Sequence, residues 1–469
     1  MGAADLSRAP RSKRATRFWA ATAIRPFRRL WLVLALSALG DWMGLLAGAA
    51  FASAQVTVPA AKGAAFGTVI AVQLLPAVVL GAVAGVVADR FDRRITMVAM
   101  DVSRFLLMSS IPVVGLLVQR PGWVIGWAAV AMFAVQTAAL IWTPAKEAAV
   151  PNLVPKNLLE TANRLTLVTT YGVTPVLGAL TFAAIARLPS WGPVTPVDLA
   201  LLFDALTYLA SAAVVYLGVP EISGRDGSPV PRSPDGLIAQ FTEFGRFVTG
   251  SRLARGLIVG VLGAFAGAGV VIGTARFYAG SLGGGDATFG ILFAALFVGF
   301  GIGVLAGPGI VDGLSRRRWF ALSIVLAGFG VLSLAVTPRP GTAAVAAVVV
   351  GAGAGMAFLS GITLVGSEVD DTIRGRVFAF LQTAVRVILL LSIAVSGALV
   401  GWGGTRHLDA GPLHLQFSAA RIMLSVAGAL GTVIGVVTLR HVDDRPGVPV
   451  VADVARSILR RPPASGHQR

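Results

Sequence analysis

Three aspartates occur inside long apolar stretches of the sequence, and their carboxyl groups are the first candidates for chemistry. They are Asp41, Asp101 and Asp204. A charged side chain in hydrocarbon is unfavourable, so such residues are typical of functional sites. Surroundings of low dielectric favour the neutral form of a carboxyl group, which brings proton exchange near neutral pH within reach. We therefore predict that these three residues are candidates for proton coupling.

Asp41 is the strongest of the three because of its depth. It lies eleven residues beyond Leu30, near the start of an apolar stretch. At 1.5 Å per residue this is about 16 Å along a helix, close to the middle of a hydrocarbon core of about 30 Å. A helix-packing role is the alternative. Asp101 and Arg104 have i, i+3 spacing, and mutual neutralisation is the simplest interpretation of that pair.

Other polar residues in apolar stretches are candidates for a substrate cavity. They are Gln73, Gln136, Gln382 and Arg386. Gln382 precedes Arg386 by one helical turn, which places both on the same face of a helix. Hydrogen bonds between helices, or an internal charge partner for Arg386, are the alternatives.

Several kinds of chemistry find no support in the sequence. It contains no cysteine, and its four histidines do not cluster, so we expect no metal site and no hydrolytic triad. It also lacks the glycine-rich Gly-x-x-x-x-Gly-Lys loop that binds nucleotide phosphates. We expect a protein that is not an enzyme and that needs no cofactor.

The elements that carry these residues are predicted to be membrane-spanning helices. The chain has 469 residues, only 13% of them charged, and a mean hydropathy of +0.79. A soluble domain of this size needs more charge on its surface, whereas a spanning helix needs about 20 apolar residues. The apolar stretches predict twelve spans, at about 30–54, 64–87, 95–119, 123–144, 161–187, 197–219, 255–280, 287–311, 318–337, 342–366, 376–403 and 416–440.

The distribution of positive charge predicts the orientation of these spans. The net charge is +17, which in a soluble protein would suggest nucleic acid. If the N-terminus is cytoplasmic, 30 of the 39 Lys and Arg residues lie on the cytoplasmic side and six lie outside. This bias favours cytoplasmic termini, and anionic lipid headgroups rather than nucleic acid as the partner of the charge.

We expect five segments along the chain. The segment between the two groups of six spans has apolar residues at helical spacing over 238–248, which predicts an amphipathic helix on the membrane surface. The segments are a basic cytoplasmic N-tail (1–29), an N-terminal six-helix bundle (30–219), a cytoplasmic linker (220–254), a C-terminal six-helix bundle (255–440) and a cytoplasmic C-tail (441–469).

The loop after the second span resembles the hallmark motif of the major facilitator superfamily. That motif is Gly, three residues, Asp-Arg, two residues and a basic pair, and the matching positions are Gly85, Asp89, Arg90, Arg93 and Arg94. The family usually has Gly where this chain has Asp92. An Asp followed by arginines recurs after the eighth span at Asp312, as two related bundles would give.

A second set of residues resembles the exporters of that superfamily. Pro175 and Gly178 match the Gly-Pro-x-x-Gly-Gly motif of the fifth span, while Thr174 and Ala179 replace two of its glycines. Residues 39–42, 144–155 and 203–208 are similar to the bacterial efflux branch that includes macrolide and siderophore exporters.

The resemblance implies a fold and a function. We expect an all-α membrane protein of the cytoplasmic membrane, with twelve helices in two bundles that rock about a central cavity. The motif around Asp89 would act as a conformational latch. A monomer that exports a small amphipathic molecule in exchange for protons is the expected activity. A lysophospholipid or nutrient transporter, or a membrane subunit that transports nothing, are the alternatives.

Overall fold

The computed structural model describes seven stretches of the chain, which contain ten of the twelve expected spans in full and most of the other two, 64–87 and 287–311. The seven stretches are residues 20–80, 91–222, 252–310, 314–368, 374–410, 413–445 and 447–459. Several predicted features lie outside the described residues: the linker segment 238–248, most of the N-tail, Asp312, and Gly85, Asp89 and Arg90 of the loop motif.

Each of the first six long helices overlaps one of the predicted spans. Proline in the first turn begins four of them, because it has no N–H to leave unpaired there and its φ angle suits a helix. The helices are α1 (Arg25–Ala54), α2 (Pro59–Val79), α3 (Arg93–Leu117), α4 (Pro121–Leu153), α5 (Leu159–Ile185) and α6 (Pro196–Gly218).

The second six long helices are followed by one short helix. Twelve helices of the described residues are long and apolar enough to cross a membrane, which confirms the predicted all-helical fold class. The helices are α7 (Arg252–Ser281), α8 (Gly285–Ile310), α9 (Arg316–Val336), α10 (Pro340–Glu368), α11 (Arg374–Gly403), α12 (Ala419–Val442) and α13 (Val450–Leu459).

Three features were not predicted. Helix α4 continues past Pro144 and Pro151, so it is longer than the span expected at 123–144. A two-stranded antiparallel hairpin, β1 (Thr405–Ala410) and β2 (Leu413–Ser418), joins α11 to α12. The third feature is α13, because the C-tail was expected only as a basic segment.

The chain divides into two compact units. The first comprises residues 1–58 and 68–230, and the second comprises residues 59–67 and 231–469. In the first unit α6 packs against α1 and α3, and α3 also packs against α4. These contacts bring the polar residues of three helices together in an otherwise apolar interior.

In the second unit, α8 and α10 pack closely through glycines. The backbone of α10 leaves no room for a Cβ atom at Gly299 or Gly303, and α8 leaves none at Gly351 or Gly355. The two glycine-rich runs of the sequence therefore face each other, as small residues do in membrane helix pairs.

Candidate functional site

Arg104 of α3 lies at the centre of a charged cluster inside the first unit. Its side chain is only 2% exposed. It donates hydrogen bonds to Asp101, with Nη1 3.3 Å from Oδ1, and to the carboxylate of Asp41 on α1. One guanidinium therefore serves two of the three predicted carboxyl groups, and Asp101 is not its sole partner.

Asp101 is a fully occupied acceptor. Besides the bond from Arg104, its Oδ2 accepts hydrogen bonds from Trp142 Nε1 at 3.1 Å and Ser211 Oγ at 2.6 Å. Its side chain is completely buried. Both oxygens receive donors, which is the arrangement expected of an ionised carboxylate.

Tyr208 of α6 connects the cluster to α1. Its hydroxyl donates to Asp41 Oδ1 at 2.6 Å. Its ring lies beneath the guanidinium of Arg104, with Cζ 3.8 Å from the ring centroid, a short cation–π contact. Tyr208 is therefore fixed at both its ring and its hydroxyl, and it orients the Asp41 carboxylate.

Asp204 lies one helical turn before Tyr208 and is completely buried. Its Oδ2 is 3.4 Å from the Tyr208 hydroxyl, and its Oδ1 is 3.5 Å from Thr207 Oγ1. Its carboxyl faces the α1 backbone at Gly40 and Gly44, where no Cβ atom would fit. Within the part of the chain that the structure describes, the polar contacts of the Asp204 carboxyl are therefore long.

A second cation approaches the cluster from α4. The ammonium of Lys146 lies 5.7 Å from the ring centroid of Trp142, whose other neighbour is the Arg104 guanidinium at 6.0 Å. Lys146 is also within electrostatic range of Asp41. The indole of Trp142 therefore lies near two positive charges while it donates to Asp101.

The three carboxyl groups differ most in their access. The Asp41 side chain is 38% exposed, whereas those of Asp101 and Asp204 are buried. Of the three carboxyl groups, that of Asp41 is therefore the one that is both partly accessible and bound to a buried guanidinium. Protonation of Asp41 would weaken its ion pair with Arg104.

The predicted cavity residues do not join this cluster. Gln73 is buried, and among the described residues its Nε2 has no hydrogen-bond partner. Gln136 and Arg386 are half-buried and Gln382 is exposed. Gln382 and Arg386 belong to the second unit.

The described part of the predicted latch is the start of α3. Asp92 caps the helix by accepting from the backbone N–H of Ile95 at 3.0 Å. Arg93 is buried, and Arg94 donates to the carbonyl of Tyr216 while its guanidinium lies 5.1 Å from that ring. Arg94 therefore ties α3 to the end of α6.

The predicted exporter-type residues lie where α5 meets α1. Pro175 follows a π-helical turn, Val168–Val173, an irregularity often found at functional sites. Trp42, the residue after Asp41, donates from Nε1 to the carbonyl of Thr170 in that turn at 3.1 Å. At Gly178 the α1 backbone leaves no room for a Cβ atom.

The second unit has a charged cluster of its own, centred on Arg318 of α9. Its buried guanidinium binds Asp443 through Nε at 2.7 Å and Nη2 at 3.1 Å, and Asp453 of α13 through Nη1 at 2.9 Å. It also donates to the carbonyls of Arg445 and Val448. Arg318 therefore anchors the short helix α13 to α9.

No group of three or more His, Cys, Asp or Glu residues suited to a metal ion occurs within the described ranges. The residues that sequence reasoning missed are Tyr208, Trp142 and Ser211. Only Tyr208 carried a signal, because it lies four residues after Asp204 and therefore on the same helix face.

Twelve helices long and apolar enough to cross a membrane, with a buried ion-pair cluster among them, fit a membrane transport protein. Residues 16–450 match the transmembrane secretion effector family of the major facilitator superfamily, and the chain belongs to this family. It is a secondary transporter and not an enzyme. No curated protein matches the chain.

Solved structures of low sequence identity share the fold. A D-xylose–proton symporter is 16% identical with a TM-score of 0.65, over 88% of this chain and 97% of its own. The nucleoside transporter NupG is 15% identical with a TM-score of 0.63, over 90% and 100%. A bacterial homologue of the human lysosomal transporter Spinster, inward-facing and unoccupied, is 14% identical with a TM-score of 0.62, over 92% and 96%.

Proposed function

We propose that this chain is a proton-coupled exporter of a small amphipathic molecule that works by alternating access. The observation that carries the proposal is the partly exposed carboxylate of Asp41, bound to the buried guanidinium of Arg104 and to the hydroxyl of Tyr208. The description of the family as secretion effectors supports export rather than uptake.

Coupling follows from the charges of the cluster. An ionised Asp41 holds α1 to α3 through Arg104 and to α6 through Tyr208. A proton on Asp41 removes one charge of the ion pair, so the packing of α1 against its neighbours changes in free energy. Proton binding at this residue can thus favour one transport state over the other.

We further propose the cytoplasmic membrane as the location, with both termini in the cytoplasm. The support is the bias of Lys and Arg toward one set of loops. The motif Gly85 to Arg94, with Asp312, is proposed as the latch that stabilises one state. Pro175 and Gly178 are proposed to set the contact between α5 and α1.

The experiment is transport in inverted membrane vesicles energised by respiration. A panel of cationic, neutral and anionic amphiphiles is offered, each with and without an uncoupler. Uptake into the vesicles that collapses with the uncoupler is the expected result for at least one class. Uptake that is unchanged by the uncoupler, at equal protein level, would contradict proton coupling.

The same panel of compounds distinguishes a proton-coupled exporter from the main alternative, a lysophospholipid transporter. Lysophospholipid is included as an amphiphile whose transport needs no titrating carboxyl group. Movement of lysophospholipid that is unchanged in Asp41→Asn would favour a lipid transporter.

A further inference from the structure

The hydroxyl of Tyr208 has two carboxyl neighbours but only one hydrogen to donate. Its oxygen is 2.6 Å from Asp41 Oδ1 and 3.4 Å from Asp204 Oδ2. The shorter contact, to a carboxylate already held by Arg104, takes the hydrogen. The longer contact is then a hydrogen bond only if Asp204 supplies the hydrogen and the Tyr208 oxygen accepts it.

The other neighbour of Asp204 leads to the same conclusion. Thr207 Oγ1 is 2.7 Å from the backbone carbonyl of Asp204 and 3.5 Å from its Oδ1, so its single hydrogen belongs to the carbonyl. The backbone N–H groups near Gly40 and Gly44 are used within α1 itself. Within the described residues, no short donor therefore reaches the Asp204 carboxyl.

Among the described residues, the charged groups around Asp204 add no further hydrogen-bond donor to its carboxyl group. They are Asp41 on α1, Asp101 and Arg104 on α3, and Lys146 on α4. The two terminal nitrogens of Arg104 bind Asp41 and Asp101. The ammonium of Lys146 lies 5.7 Å from the ring centroid of Trp142, and its acidic neighbours are Glu147 and Asp41. An ionised carboxylate with no donor in a completely buried position is strongly unfavourable.

From these contacts we infer that Asp204 holds a proton in this state and that Tyr208 relays it to Asp41. The inference deepens the proposed proton-coupled function and rests on it. It makes Asp204 the proton reservoir, Asp41 the accessible acceptor and Asp101 a fixed counter-charge. Tyr208 is the residue that connects the reservoir to the acceptor.

The transfer step balances in atoms and charge. The O–H bond of Asp204 breaks as its proton passes to the Tyr208 oxygen, while the O–H bond of Tyr208 breaks as its own proton passes to Asp41. Tyr208 ends as a neutral phenol, Asp204 as a carboxylate and Asp41 as a carboxylic acid. One negative charge has moved from Asp41 to Asp204, and it stays within electrostatic range of Arg104.

The consequence is a coupling between α1 and α6, because the proton leaves a carboxyl group of one helix and arrives at a carboxyl group of the other. After the transfer Asp41 is neutral and its ion pair with Arg104 is weakened. The guanidinium is then free to turn toward the new carboxylate of Asp204. Exposure of Asp41 allows the transferred proton to leave, so the relay delivers protons from a buried site to an accessible one.

Infrared spectroscopy of the purified protein without substrate tests the proton assignment. The carbonyl stretch of a protonated carboxylic acid is separate from that of carboxylates. We expect one such band at neutral pH that disappears in Asp204→Asn and persists in Asp101→Asn. An unchanged band in Asp204→Asn, or its loss in Asp101→Asn, would overturn the assignment. If Asp204→Asn folds poorly, Asp204→Glu must shift the band.

Hydrogen exchange tests the relay. After transfer to D₂O, the band of Asp204 shifts as its proton exchanges. Tyr208→Phe should slow this shift at least about tenfold, a rise of about 1.4 kcal/mol in the barrier. Tyr171→Phe is the matched control, because Tyr171 is an exposed tyrosine outside the cluster. Equal exchange rates in Tyr208→Phe and the parent would overturn the relay.

Both measurements are made without substrate, so they decide the relay independently of the export assay. Export that is unchanged by the uncoupler would contradict the proposed function. The infrared band by itself decides which carboxyl group holds the proton.

Discussion

Tyr208 on α6 donates its hydroxyl hydrogen to Asp41 on α1 at 2.6 Å, across 167 residues of sequence. The bond joins the first and last helices of the N-terminal half at the carboxyl group with the greatest access. Because Tyr208 also contacts Arg104 and Asp204, one phenol links the Asp41 carboxylate to a buried cation and to a second, buried carboxyl group.

Arg104→Met should strongly destabilise the protein. It leaves the buried Asp101 without its cation, and breaking one partner of a buried ion pair costs about 3–5 kcal/mol. The midpoint of thermal unfolding in detergent, followed by tryptophan fluorescence, should fall clearly. Adding Asp101→Asn should restore part of the loss, because the unpaired charge is then removed.

Arg317→Met is the matched control for that experiment. Arg317 pairs with Glu368 at 2.7 Å, but both side chains are about one-third exposed, and such pairs contribute about 0–1 kcal/mol. Its unfolding midpoint should stay close to that of the parent. Equal losses in Arg317→Met and Arg104→Met would show that the buried cluster contributes nothing special.

Gly178→Val should impair transport by separating α5 from α1. A Cβ atom at this position would lie 2.7 Å from the carbonyl oxygen of Leu39, and overpacking of this kind costs about 1–3 kcal/mol. Vesicle uptake at matched protein level is the measurement. Gly126→Val is the control, since nothing lies within 4 Å of a Cβ atom there. Normal uptake in Gly178→Val would exclude a role for this contact.

Acid should release α13 from α9. The hydrogen bond from Arg318 lowers the pKa of Asp443, so the bound state is favoured while Asp443 is ionised. This contribution is complete above the ordinary pKa of an aspartate and is lost as the pH falls through the lower value of the docked state. A spin label at Val451, which is 81% exposed, should become more mobile over that acid range.

Asp443→Asn should give the mobile spectrum already at neutral pH. Asp444→Asn is the control, because Asp444 is exposed and adjacent. A label that stays immobile in Asp443→Asn would mean that Asp453 alone holds α13.

The orientation of the chain gives a prediction that needs no substrate. A reporter fused after Gly224 should be cytoplasmic, as should both termini, because the Lys and Arg residues favour that side. A periplasmic reporter signal at Gly224 would reverse the arrangement of loops.

Hydropathy was sufficient to predict the twelve helices, and residue spacing was sufficient to predict the pair of Asp101 and Arg104 within α3. The twelve spans follow from the length that a bilayer requires, and Asp101 with Arg104 follows from the i, i+3 rule. The bond from Trp142 to Asp101 spans 41 residues and depends on how α4 is rotated about its axis. Hydropathy does not encode that rotation, so such partners are visible only in the structure.

Asp41→Asn should abolish proton-driven export while leaving some substrate binding. Asn has the size of Asp and still accepts hydrogen bonds from Arg104 and Tyr208, but it cannot exchange a proton. A residue that serves only packing would tolerate the change, because an amide in hydrocarbon is less unfavourable than a charge. Asp41→Glu should retain partial activity with a shifted pH optimum, since its carboxyl titrates at a new distance from Arg104.

The measurement is substrate movement against an imposed pH gradient in proteoliposomes, with protein levels matched. Asp286→Asn is the control, because Asp286 is a partly exposed partner of Arg276 at 2.7 Å in the second unit and not part of the cluster. It should pump like the parent. If Asp41→Asn also pumps like the parent, Asp41 is structural. Coupling must then reside at Asp204 or Asp101, or the carrier uses no protons.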